Sequence, residues 1–279
     1  MRSFLRGPYP EPRDDALLTS RPPHISGLAL LRGVFLSTGL VRSATDIGLV
    51  TAGAGFILLF GASTLLAYSV VYLVERLLQG SVPLVAMYTY ALPATYPDPY
   101  LPWRIGLHAI RFLAFLTMLR LSPISGYHGA EHKVVNAIEV AGTLDEDVVR
   151  RMPRQHIRCG TNLLAGLAPL LLALMPDVRL DGLTLLALLA VGFLVRRPVG
   201  YLVQSIFTTK EPTPAQLRAG MESGRVLVER WRTTPERPTS PAERLWARGL
   251  PQMLIGLGVG VACMRGGDML WYWLLCRGP

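Results

Sequence analysis

Residues 49–74 contain no charged side chain. A run of that length is enough to cross a bilayer with some tilt, and Glu75 and Arg76 end it. The composition points the same way. The chain is 51% hydrophobic and 17% charged, against about 25% charged for soluble domains, which places it among membrane proteins. Further apolar stretches cover 104–121, 162–176, 180–195 and 250–276. The pair 162–176 and 180–195 reads as a tight hairpin turning at Pro176-Asp177-Val178-Arg179. The last stretch is broken by Arg265-Gly266-Gly267-Asp268, so it is either one interrupted span or a re-entrant hairpin. The fold expected is all-α: a polytopic helical membrane protein with about four to five spans and cytoplasmic helical loops.

Charge sets the expected orientation. The net charge is +9, and Lys133 and Lys210 are the only lysines. The arginines cluster beside apolar spans rather than among exposed aromatics. They therefore suit loops facing cytoplasm and anionic lipid, not nucleic acid. Residues 77–103 carry no Lys or Arg and read as an external loop. Residues 196–249 carry ten Lys or Arg against five Glu and read as cytoplasmic, as do the N-terminus and 122–161. The expected setting is a bacterial inner (cytoplasmic) membrane, multi-pass, with the lipid bilayer and a membrane-protein partner as neighbours and no nucleic acid. Residues 1–26 hold four arginines, five prolines and no apolar core of a signal peptide, so they read as a disordered cytoplasmic tail. Residues 27–235 form the membrane domain, and 236–279 a linker plus an extra C-terminal span. Within 27–48, apolar stretches alternate with Arg32, Arg42 and Asp46. That pattern predicts an amphipathic helix in the interface, or the start of a long first span. Arg111 and His108 within 104–121 are unusual at membrane depth, where ionisable groups face a protein interior or snorkel. No internal repeat is evident, which disfavours a transporter built on inverted halves.

The chemistry concentrates in 122–161. His128 and His132 stand four apart, one helical turn and roughly 6 Å in rise, so both imidazoles can reach one metal ion. Glu131 precedes the second histidine and completes H-x-x-E-H, the inverted zinc-peptidase signature. Two histidines could equally pack a helix end and bind nothing. Downstream, His156-Ile157-Arg158-Cys159 adds an imidazole and a thiol, and three of the chain's five histidines fall between 128 and 156. Arg158 is expected to favour the Cys159 thiolate, the metal-binding form. A donor set of His128, His132, His156 and Cys159 suits zinc. Glu139 shares the histidine face but lies roughly 10 Å along a straight helix from His132, so it orients a ligand or binds only if the helix breaks. Pro123 and Gly126 end the preceding helix, and a new one is expected from about Tyr127 to Val140 with Gly142 as its stop. Thr143 with Glu146 reads as a capping box for a short helix ending at Pro153. Thr213-Pro214 reads as the cap and first turn of an amphipathic helix reaching about Trp231.

Taken together and in order, Tyr127-His128-Gly129-Ala130-Glu131-His132-Lys133, His156-x-Arg158-Cys159-Gly160-Thr161 and Thr208-Thr209-Lys210-Glu211-Pro212 resemble the YqhQ-like family of bacterial membrane proteins. Leu31-Arg32-Gly33-Val34 matches its N-terminal element. The resemblance covers roughly 27–230 and implies a domain of unknown function described as a metal-dependent enzyme. Ile157 stands where that family usually has proline and Asn162 where it usually has serine. Two readings follow. One is a membrane-embedded metal-dependent hydrolase at the cytoplasmic interface, with Glu131 as general base and zinc on the histidine and cysteine donors. The other is a non-catalytic biogenesis or scaffold factor with a structural histidine/cysteine cluster. An open coordination position beside Glu131 separates them.

Overall fold

In a computed structural model the residues described are 24–78, 101–173, 181–235 and 237–276. Residues 1–23 of the tail expected over 1–26, most of the external loop (79–100) and the turn at 176–179 lie outside them. The described residues are mostly helical, with one small two-stranded sheet. In order, strands β1 (Ser26–Leu30) and β2 (Gly33–Ser37) precede nine helices among the described residues. These are α1 (Asp46–Leu77), α2 (Leu101–Leu121), α3 (Ile124–Asn136), α4 (Glu146–Arg151), α5 (Gly160–Ala173), α6 (Gly182–Val203), α7 (Pro214–Thr233), α8 (Pro241–Ala247) and α9 (Leu250–Cys276). A π-helical turn continues α3 over Ala137–Ala141, and a second continues α6 over Gln204–Thr208.

Length and apolarity qualify α1 and the α6 helix with its π turn as membrane spans. Two bent pairs, α2 with α3 at 68° and α8 with α9 at 58°, raise the count to four if each is one span. The expected four to five spans thus become two to four. Among the described residues, helix α5 shows 14 residues. Helix α9 runs through Arg265–Asp268 without a break.

The expected interfacial helix over 27–48 is instead an antiparallel β-hairpin, the correction to an all-α reading. Leu30 pairs with Gly33, so Leu31-Arg32 is a two-residue turn. Gly33 takes φ 155°, which a side chain would resist. Val34, Phe35 and Leu36 are each buried to 2% exposure or less. A strand buried on both sides has an unbroken apolar run and no alternation to betray it.

The chain divides into two compact units. One comprises Met1–Leu58, Arg120–His156 and Ser205–Pro279, and the other Leu59–Leu119 and Ile157–Gln204. In the first, the hairpin, α3 and α7 pack around one core that includes Val34, Leu36, Val134, Ile138, Leu217 and Leu227. Helix α7 is placed by the predicted cap: Thr213 Oγ1 accepts from Gln216 N, Gln216 returns the bond and Pro214 opens the first turn. Its Ser223 hydroxyl donates to Val34 O at 2.7 Å. We read α3 as belonging to this core rather than to a span, because its residues from Gly129 to Asn136 are all buried. Beside it, α1 and α9 approach so closely that a Cβ at Gly53 or Gly256 would meet the other helix's backbone, the small-residue contact typical of membrane helices. Gln252 ties α9 to Asp46 at 2.9 Å.

In the second unit, Gly166 lies against Gly192 and Arg196 while Asn162 lies against Gly200. That pairing runs α5 and α6 antiparallel, as the expected hairpin requires. Arg111 faces the protein interior: its guanidinium lies 5.5 Å from the Phe60 ring centroid, and Nη1 is 3.4 Å from His108 Nδ1. A cation over an aromatic face is a recognised way to keep charge within an apolar unit.

Candidate metal centre

Helix α3 begins at Ile124, three residues earlier than expected, because Pro123 fits the turn before a helix. Serine 125 fastens that start, donating from Oγ to Arg120 O at 2.9 Å. Across it runs the segment 208–213. Lys210 N donates to Ser125 O at 2.9 Å, Lys210 Nζ to Ser122 O at 3.0 Å, and the Arg120 guanidinium to Thr209 O. This strap comes so near that any Cβ at Gly129 would overlap Lys210 O. On the other side, the loop 150–156 is held by side chains of α3: Lys133 Nζ donates to Arg150 O at 2.6 Å, and Asn136 Nδ2 to Pro153 O and Gln155 O at 2.9 and 3.2 Å. Asp145, not the expected Thr143, caps α4, since its carboxylate accepts from Asp147 N and Val148 N while Thr143 accepts from Asp145 N.

The two histidines of α3 lie between strap and loop. Their ring centroids are 4.4 Å apart, and His156 brings a third ring to 5.6 Å from His132. His128 Nδ1 is 2.9 Å from Thr208 O, and His132 Nδ1 is 2.7 Å from Arg154 O. A carbonyl oxygen only accepts, so each Nδ1 must be the donor. In the neutral ring the lone pair is then on Nε2. Burial, reinforced by the neighbouring His128 and His156 rings and opposed by the Arg154 carbonyl, holds His132 well below the usual imidazole pKa. It is therefore neutral, which is the ligating form. An imidazole whose far N–H is fixed on a backbone carbonyl is the arrangement found behind metal-bound histidines, so these residues fit a zinc ion.

His156 is 8% exposed and sits in the first unit with His128 and His132. Glu131 is 6% exposed, and its carboxylate lies under strand β1, where a Cβ on Gly27 would overlap it. Replacing Gly27 with alanine should therefore displace Glu131 and lower stability by about 1–3 kcal/mol. Thermal unfolding would show it, with Gly160→Ala, whose Cβ meets nothing within 4 Å, as the silent control. Cys159 falls in the second unit, where Sγ donates to Thr161 Oγ1 at 3.4 Å. Here the expectation is reversed: burial pushes the thiol pKa up, only partly countered by Thr161, and Arg158 is exposed.

Sequence reasoning missed one contributor. Lys133 is 4% exposed and pairs with Glu211 Oε1 of the strap at 2.8 Å; a lysine one residue past a ligand reads as surface unless its partner is known. Glu139 was expected on a straight helix, and the π turn changes its reach. No curated protein and no solved structure matches the chain. The family described as "Protein of unknown function (DUF1385)" matches residues 104–196, the stretch that carries α3, His156 and Cys159.

Proposed function

We propose that the protein is a membrane-embedded zinc protein whose site, at the cytoplasmic face of a bacterial inner membrane, serves a metal-dependent hydrolase. The observation that carries this is the pair of Nδ1 bonds to Thr208 O and Arg154 O, which leaves His128 and His132 with Nε2 lone pairs on adjacent, largely buried rings. His156 and Cys159 complete the donor set. Cys159 is three residues beyond His156, so chain connectivity keeps their Cα atoms within about 11 Å. A bound zinc would polarise a carbonyl or phosphoryl oxygen and make water acidic enough to attack near neutral pH. Glu131 is offset by about 100° from His132 around the helix axis and is the residue that takes and returns the proton at its carboxylate. Strand β1 keeps that carboxylate in place. Strap and loop hold the imidazoles of His128 and His132, so these two ligands need no ordering on binding.

Glu131→Gln keeps the size of the side chain and removes the base. It should retain zinc and lose turnover by about 10²–10⁴-fold, and so fail to complement a deletion strain at normal protein level. Complementation would sink the hydrolase. A second reading, a closed structural centre, is favoured by the burial of His132 and His156, at 1% and 8% exposure, because four protein ligands leave no open position. It predicts that same complementation together with full zinc content. Cobalt(II) substitution checks the sulfur ligand: a thiolate-to-metal charge-transfer band should vanish in Cys159→Ser and persist in Cys263→Ser. The orientation is checked by thiol labelling of Asp147→Cys, an exposed position on α4. Only reagents admitted to the cytoplasm should reach it, and labelling from outside intact cells would contradict the topology.

A further inference from the structure

Two guanidiniums converge on the chain that forms and enters the strap. Arg120, in the last turn of α2, donates from Nη1 to Thr209 O. Arg154, in the loop on the other side of α3, donates from Nη2 to Ser205 O at 3.3 Å. Its neighbour Gln155 fastens the same residue, Nε2 to Ser205 Oγ at 2.9 Å. Both arginines are half-buried, and their charges are near enough to act on each other. Among the described residues neither guanidinium is paired with a carboxylate. The strap's own acid, Glu211, is taken by Lys133 at 2.8 Å. Lys210 adds a further cation, with Nζ on Ser122 O at 3.0 Å. Holding like charges together without an acid between them costs free energy, which a bound anion offsets.

The two arginines also stand one step from the histidine pair. Arg154 O is 2.7 Å from His132 Nδ1. Thr208 O, next along the chain from the carbonyl that Arg120 holds, is 2.9 Å from His128 Nδ1. A guanidinium carries five N–H donors in a planar fork, so one backbone bond each leaves most of them for a ligand. We infer that Arg120 and Arg154 form a clamp for a phosphoryl oxyanion beside His128 and His132. It rests on the hydrolase reading above and names the class of its substrate, a phosphate ester. Guanidinium forks match phosphate oxygens two at a time. A phosphate monoester carries about two negative charges near neutral pH, which suits two arginines better than a single carboxylate does. The phosphoryl group comes from a soluble ester or from a lipid headgroup, and the clamp's chemistry is the same for both.

The experiment uses full-length protein in phosphatidylcholine nanodiscs, titrated calorimetrically with inorganic phosphate, once with its zinc and once after chelation. Zinc content is measured for every variant. Wild type should bind phosphate. Arg120→Gln and Arg154→Gln each keep a donor for the strap and remove a charge, and each should weaken binding by about 10–100-fold. Arg225→Gln, on an exposed face of α7, should leave it unchanged. Wild type that binds no phosphate, clamp variants with wild-type affinity, or an equal loss in Arg225→Gln would overturn the inference. Where a glutamine variant does not fold, lysine at the same position keeps the charge and loses the fork; weaker binding is again expected, and unchanged affinity would overturn the inference. Phosphatidylglycerol in the discs separates the two sources: competition with phosphate identifies a lipid headgroup, and an unchanged titration a soluble ester, each upholding the clamp. Phosphate binding that needs both arginines in a wild type without zinc would remove the hydrolase reading and leave the clamp. A zinc-loaded protein whose phosphate affinity ignores both arginines would remove the clamp alone.

Discussion

His132→Ala is expected to abolish zinc binding at any practical metal concentration, a larger loss than the 10–100-fold that follows removal of a supporting residue. Three properties converge on this side chain. It is 1% exposed, so no water replaces it easily. Its Nδ1 is committed to Arg154 O, so the ring cannot turn away. It also adjoins both of the other histidine rings, at 4.4 and 5.6 Å. The substitution further leaves the Arg154 carbonyl without that donor, at a cost of about 1–3 kcal/mol in the metal-free protein. Calorimetric titration with zinc and thermal unfolding without it separate the two effects. Normal zinc binding by His132→Ala would mean that the ring is only a packing residue of α3.

Leu227→Ala carries the largest expected effect on the fold of the first unit. Leu227 is fully buried, on the face of α7 that meets α3 and the hairpin. Gly220 and Gly224 on that face lie against Ala130 and Val134, so the two helices are too closely set to collapse onto a cavity. Truncating a leucine there should cost about 2–5 kcal/mol and lower the unfolding temperature in detergent. Leu254→Ala, on an exposed apolar face of α9, removes as many methylenes from a surface that detergent or lipid solvates and should change it little. Equal shifts in both variants would contradict the core described above.

The elements legible in the sequence were those whose signals are local. Residues 49–74 lie within α1, since an uncharged run of that length has few other solutions. Thr213-Pro214 marked the start of α7 because capping chemistry is short-range. Gly142 stopped its helix in the left-handed conformation that glycine tolerates. His128 and His132 came together because a four-residue spacing fixes a helix face.

What the sequence hid was set by partners far along the chain. Strands 26–30 and 33–37 read as helix, since both are half of a structure that only exists when α3 and α7 cover it. Thr143 and Asp145 are both good caps, and the choice between them was settled by where the π turn ends. The bonds that fix the imidazoles come from the carbonyls of Thr208 and Arg154, and every residue has a carbonyl, so no side-chain pattern announces them. Arg158 was expected to acidify Cys159 by adjacency, but burial pushes the thiol up and the opposing contacts come from Thr161.

The most direct measurement is the zinc content of full-length protein purified from membranes without chelators, determined by elemental mass spectrometry beside a His128→Ala/His132→Ala double variant prepared identically. About one zinc per wild-type chain and essentially none in the double variant are expected. A wild type without zinc, or equal zinc in both proteins, would contradict the zinc reading.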